Sequence, residues 1–209
     1  MDRPNPARLY KFLPLLALVP AAAVPNGTLV SLAIVVLTLW LVKDSRRPTL
    51  ALSDGRWLRA ALIGIGAGLA LWFLSDQVWE PLLQQWVGPI NLESIAGVRG
   101  NLPNFLVLLL IGFIFGGVIE EVFFRGFVIG WGSHLFGQRS VVPLLILSSA
   151  AFGLGHLYQG VLGAISNGAI GLCLAGLYVA SGKRLLAPML AHMTIDAIGI
   201  TEIYLGLNR

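Results

Sequence analysis

Seven apolar runs, at about 9–24, 28–42, 57–75, 104–131, 141–158, 160–180 and 185–206, take up most of this 209-residue chain. Crossing a bilayer as a helix requires about 20 predominantly apolar residues. The runs therefore predict an all-α fold, a polytopic transmembrane helical bundle of about seven spans within a range of six to eight. Charged residues make up 11% of the chain, against about 25% in a soluble domain, which excludes an ordinary soluble globular fold. No charge-rich or low-complexity stretch marks off a second module, and no internal repeat is visible, so residues 1–209 read as a single membrane-embedded domain. Within it, 1–75 hold the N-terminal spans, 76–103 form an external interfacial loop that carries Trp79 and Trp86 and has room for a short helix at the headgroup level, and 104–206 are the core helices with the buried polar residues.

The formal net charge of +4 comes from short basic clusters between the runs, a topological pattern rather than a surface for a nucleic acid. Arg3, Arg8 and Lys11 precede the first run, Lys43, Arg46, Arg47, Arg56 and Arg59 follow the second, Arg139 precedes the fifth, and Lys183 and Arg184 precede the seventh. All fall on one side of a seven-span topology, so the N-terminus is expected in the cytoplasm and the C-terminus outside. Short loops suit a bacterial cytoplasmic membrane. The first run, ending in Ala21-Ala22-Ala23, mimics a secretory signal. It is read as a retained span, because Pro14, Pro20 and the turn Pro25-Asn26-Gly27 lead straight into the second run as a helical hairpin. Cys173 lies alone in an apolar segment and is expected as a small core residue, with no disulfide framework.

Three apolar runs nevertheless carry ionisable residues. Glu120 and Glu121 lie in IGFIFGGVIEEVFFRGFVIGW with Arg125 after them, His156 ends Phe152-Gly-Leu-Gly-His156, and His192 and Asp196 bound His192-Met-Thr-Ile-Asp196. An ionised group at the centre of a membrane helix costs about 2.5–3.5 kcal/mol on insertion scales, so several of them imply use. Glu121 and Arg125, four apart in the favourable order, are expected to form a salt bridge that braces the site, leaving Glu120 as the working carboxylate. At about 1.5 Å per residue, Glu120, His156 and His192 lie roughly 16, 22 and 10 Å from the cytoplasmic ends of their helices, depths that straddle the midplane.

Each group has a bland reading. Glu120 could be a second partner for Arg125, His156 could bond a neighbouring carbonyl, and His192 and Asp196 could simply bond each other. As a set they match what hydrolysis by an activated water needs: a general base, an imidazole and polarising groups. His134 reads as a solvated turn residue, and Ser148, Ser149 and Ser166 lack a nucleophile-elbow pattern. Gly64, Gly66 and Gly68, and Gly163, Gly168, Gly171 and Gly176, are spaced for close helix packing.

The ordered motifs E-E-V-F-F-R at 120–125, F-G-L-G-H at 152–156 and H-M-T-I-D at 192–196 resemble the CPBP intramembrane protease family, which includes the CAAX prenyl endopeptidases and bacterial relatives once labelled Abi. The approach GLYVASGKRLLAPMLAHMTID is similar to the family's last motif, and the likeness covers roughly 100–200. The resemblance implies peptide hydrolysis in a membrane-anchored protein or peptide, with Glu120 activating water, His156 as its partner, His192 and Asp196 facing the oxyanion, and Phe152, Glu121 and Arg125 supporting the site. Asp196 stands where prenyl endopeptidases carry Asn. An ionised Asp cannot donate to an oxyanion, so Asp196 must be protonated, orient His192 or bind a cation. No cofactor is the favoured reading, while Glu120, His156, His192 and Asp196 could together hold zinc. The rival class is non-enzymatic: an immunity or scaffold protein, or a proton-coupled carrier using Glu120 and His156, although a carrier normally shows repeats or paired broken helices.

Overall fold

The computed structural model describes residues 10–23 and 27–207. Arg3, Arg8, Pro25 and Asn26, used above for topology and the first hairpin, lie outside the described residues. Every apolar run is helical, and no strand occurs among the described residues. In chain order the helices are α1 (Leu13–Ala23), α2 (Gly27–Leu41), α3 (Lys43–Thr49), α4 (Trp57–Val87), α5 (Leu102–Phe136), α6 (Gln138–Gly155), α7 (Leu157–Ala180) and α8 (Leu186–Leu205).

By length and composition α4 to α7 can each cross a membrane, and α2 with α3, bent by 118° at Val42, makes a fifth candidate. Together with the shorter α1 and with α8, these candidates are roughly consistent with the expectation of about seven spans. α1 is short, and α8 carries His192, Asp196 and Glu202, whose polarity dilutes its apolar face. Such a helix is stable in lipid only where neighbours cover its polar groups, and α8 has α4 along one flank and α5 along another.

The segment 76–103 is less loop-like than its charges suggest. α4 runs unbroken past Asp76 to Val87 through a wider π turn at Ser75–Trp79, and only then do Gly88 and a short 3₁₀ turn (Glu93–Val98) begin. The polar groups of this upper part have internal partners. The Trp79 indole donates to Ser166 Oγ (3.0 Å), Ser166 donates to Glu80, and the Trp72 indole donates to Glu202 (3.1 Å), fastening α4 to α7 and α8. Ser148 and Ser149 donate to the carbonyls of Phe124 and Leu145, so these serines are structural too.

The basic segments gather at one end. Leu185 and Leu186 donate their N–H groups to Ala51 and Leu52, and Lys183 reaches Ser133 and Gln138. At the other end Asn91 N–H donates to Gln159 and Gly100 N–H to Tyr204. The tight core sits around the basic half of α5, where Phe123, Phe127, Val128 and Trp131 are wholly buried against α1 and α6.

Close helix approach is selective. A Cβ on Gly64 or Gly68 would fall 2.5 or 2.6 Å from the carbonyl oxygens of Ala187 and Ala191 on α8, so that crossing needs both glycines. Gly66 and Gly176, grouped with the packing glycines on spacing alone, face open space. Cys173 is likewise exposed rather than in the core, and His134 lies in the last turn of α5 rather than in a turn after it. Gly68→Ala should therefore lower the melting temperature in detergent by several degrees, overpacking costing about 1–3 kcal/mol. Gly66→Ala should leave it unchanged or raise it, since Gly to Ala in a helix gains roughly 0.5–1 kcal/mol. Equal effects of the two substitutions would contradict the packing.

Candidate active site

The centre of α5, from Gly112 to Trp131, is wound wider than an α-helix, in the π form that is frequent at functional sites. Here Glu121 and Arg125 are essentially inaccessible, and Arg125 Nη1 donates to Glu121 Oε1 at 2.8 Å. Arg125 Nη2 donates to the Gly171 carbonyl of α7 (2.9 Å), and its guanidinium lies 5.0 Å from the Phe152 ring centroid. Glu121, the carbonyl and the cation–π contact compensate a charge that lipid would not, although Arg125 Nε has no hydrogen-bond partner.

Glu121 does more than hold Arg125. Its Oε1 also accepts from His192 Nδ1 at 2.8 Å, across 71 residues of sequence. That bond places a proton on Nδ1, held by Glu121, and leaves Nε2 to face the cavity. Nε2 lies 3.9 Å from Glu120 Oε2 and 3.8 Å from Asp196 Oδ1. Those separations are too long for hydrogen bonds, so His192 and Asp196 do not simply bond each other. All three groups address one small space, at a range where a water commonly mediates.

α6 supplies the second imidazole. His156 is the residue at which α6 ends, and its Nδ1 donates to the Phe152 carbonyl one turn back at 2.8 Å. The bland reading of that nitrogen is therefore correct, and it has a use: it commits one nitrogen and frees the other. The Phe152 ring is buried between the charged and imidazole groups, with centroids 4.7 Å from His156 and 5.8 Å, edge-on, from His192.

Glu120, His156, His192 and Asp196 all line a single cavity of about 240 Å³. Gly116 makes room for it, since a Cβ there would fall 2.5 Å from Asp196 Oδ2 and 3.4 Å from His192 Nε2. One wall is apolar, with Leu108, Ile111, Phe115 and Ile200. The mouth is polar but uncharged. Asn167 donates to Gln159 Oε1 (3.0 Å), Gln159 donates to the Tyr158 hydroxyl (3.2 Å), and Asn91 and Ser94 complete the rim. Sequence reasoning passed over these rim residues and Gly116, because amides in turns and glycines in helices carry no local mark of a site.

Among the described residues no three His, Cys, Asp or Glu side chains stand close enough together to hold a metal ion.

Compared with known proteins, residues 102–198 match the family described as type II CAAX prenyl endopeptidase Rce1-like. That stretch contains Glu120, Glu121, Arg125, Phe152, His156, His192 and Asp196. No curated protein and no solved structure matches. The apolar helices and this match together make this an integral membrane protein, and the similarity over residues 102–198 supports the CPBP/CAAX protease family.

Proposed function

We propose that this protein is an intramembrane endopeptidase that hydrolyses a peptide bond in a membrane-anchored protein or peptide, using a water activated by Glu120. The observation that carries the reading is the convergence of Glu120, His156, His192 and Asp196 on one cavity in an otherwise apolar bundle. Ionisable groups at such depth are costly and tend to mark function.

In this mechanism Glu120 takes a proton from a water that also donates to the lone pair of His156 Nε2. The resulting hydroxide adds to the scissile carbonyl carbon. His192, protonated on both nitrogens and tethered through Nδ1 to Glu121, donates from Nε2 to the oxyanion; a protonated Asp196 adds a second donor. Glu120 then passes its proton to the leaving nitrogen, the C–N bond breaks, and new carboxyl and amine termini result. The dry surroundings strengthen each of these interactions and exclude bulk water. The apolar wall suits an apolar side chain of the substrate, and the uncharged amides at the mouth suit its backbone. With the basic loops cytoplasmic, the N-terminus lies in the cytoplasm, the C-terminus outside, and the cavity mouth turns to the outer side of a bacterial cytoplasmic membrane.

The two neighbouring glutamates should separate experimentally. Glu120→Gln should reduce the initial rate on a membrane-anchored peptide by at least about 10²-fold while leaving the melting temperature near that of the wild type. Glu121→Gln should lose both activity and stability. It strands the buried Arg125 charge, at a cost of about 3–5 kcal/mol, and releases His192. Comparable melting temperatures for the two variants would remove the distinction.

Asp196→Asn tests the donor role and the cofactor together. With Asp196 as a protonated donor, the amide replaces it, activity survives, and a chelator has no effect. Loss of activity in Asp196→Asn, with wild-type activity abolished by chelation and restored by zinc, would establish the metal-dependent alternative instead.

A further inference from the structure

At the end of the bundle opposite the mouth of the active site, two clefts of about 460 and 560 Å³ lie side by side and share Gly182 and Arg184. Arg56, Arg59 and Arg184 line the first, with Ile63 and Leu177 a turn further along α4 and α7. Lys43, Arg47, Lys183 and Arg184 line the second. Together the clefts hold six Lys and Arg side chains against two carboxylates, Asp44 and Asp54. That surplus of four positive charges equals the formal net charge of the entire chain.

The surplus is open to an anion. Asp54 is taken up by Arg56, whose guanidinium holds the carboxyl at about 2, well below its ordinary range. Among the described residues no carboxylate lies within ion-pair distance of Lys43, Arg47, Arg59, Lys183 or Arg184. Lys183 has φ +59°, the left-handed region that a residue with a Cβ adopts only under constraint. There its Nζ donates to two neutral acceptors, Ser133 Oγ (2.8 Å) and Gln138 Oε1 (2.9 Å). Burial draws its ammonium below the ordinary range, a cost that a nearby anion offsets. The positive-inside rule asks only that basic residues be present in these loops. It does not ask that side chains from three segments, 43–47, 56–59 and 183–184, surround adjoining clefts.

We propose that the paired clefts bind the headgroup of an anionic phospholipid, with its phosphate on Lys183 and Arg184 and an acyl chain running along Ile63 and Leu177. Basic pockets between membrane helices on the cytoplasmic side are suited to such headgroups. A free phosphate shares the charge chemistry, but it makes no use of the apolar wall.

The test uses the full chain in detergent, titrated separately with palmitoyl-oleoyl phosphatidylglycerol, with phosphatidylcholine of the same chains, and with inorganic phosphate. Binding is followed by native mass spectrometry and thermal melting. Phosphatidylglycerol should form discrete adducts and raise the melting temperature, weakening as salt rises, while the other two should do neither. At about one kcal/mol per basic residue near an anionic headgroup, each charge removed should weaken binding roughly five-fold. Lys183→Gln with Arg184→Gln should then show a loss of roughly 25-fold. If that pair of substitutions prevents folding, Arg59→Gln, at an exposed position, should still weaken binding roughly five-fold. Equal binding of the two lipids, wild-type affinity in a folded variant, or an inorganic phosphate effect matching that of phosphatidylglycerol would each overturn the proposal.

Discussion

A carboxylate cut off from water must find its compensation inside the bundle, and Glu121 finds it on two sides at once. Oε1 accepts from Arg125 on its own helix and from His192 on α8, both at 2.8 Å. Much of the membrane-embedded polar structure hangs on this oxygen. Arg125 reaches on to the Gly171 carbonyl of α7 and stacks against Phe152 of α6, so one charge cluster ties four helices together. Buried ion pairs often contribute little net stability because desolvation offsets their attraction. Their value here is geometric: with Nδ1 of His192 fixed by Glu121, the other ring nitrogen has one direction to face, and that direction is the cavity.

The neighbouring Glu120 shows how position in a helix divides labour between identical side chains. Glu121 is wholly buried, while Glu120 keeps access to the cavity and stands 3.9 Å from His192 Nε2. Packing around the pair is permissive in a specific way. Gly116 brings the α8 side chains within reach of α5, and Gly64 and Gly68 let α8 lie close on α4. Backbone approach on one flank thus sets the depth of His192 and Asp196 on the other.

How far the sequence could be read follows from the same physics. Helices were legible because apolar runs of membrane-spanning length leave the backbone few alternatives. The Glu121–Arg125 bridge was legible because it is local, one helical turn. The Glu121–His192 bond was not, since it depends on how α5 and α8 cross, and no spacing within either helix encodes that. Cys173, Gly66 and Gly176 were misjudged for a reason particular to membranes: lipid is as apolar as a core, so hydropathy cannot tell an outward face from an inward one. Asp76 and Glu80 suggested a loop because charges usually lie in one, yet Glu80 accepts from Ser166 and the helix continues around it. The wide winding of α5 and the amide rim at Asn91, Gln159 and Asn167 left no pattern in the sequence to find.

The central claim is that these converging groups cut a peptide bond, and the most direct measurement is a comparison of polypeptide termini in membranes from cells carrying the wild-type protein or Glu120→Ala at matched levels. The account predicts at least one new C-terminus, with its matching N-terminal fragment, in a membrane-anchored polypeptide that is present with the wild type and absent with the variant. Identical termini in the two membranes, with the variant fully supporting the cellular phenotype, would contradict it and leave the polar cluster as scaffold.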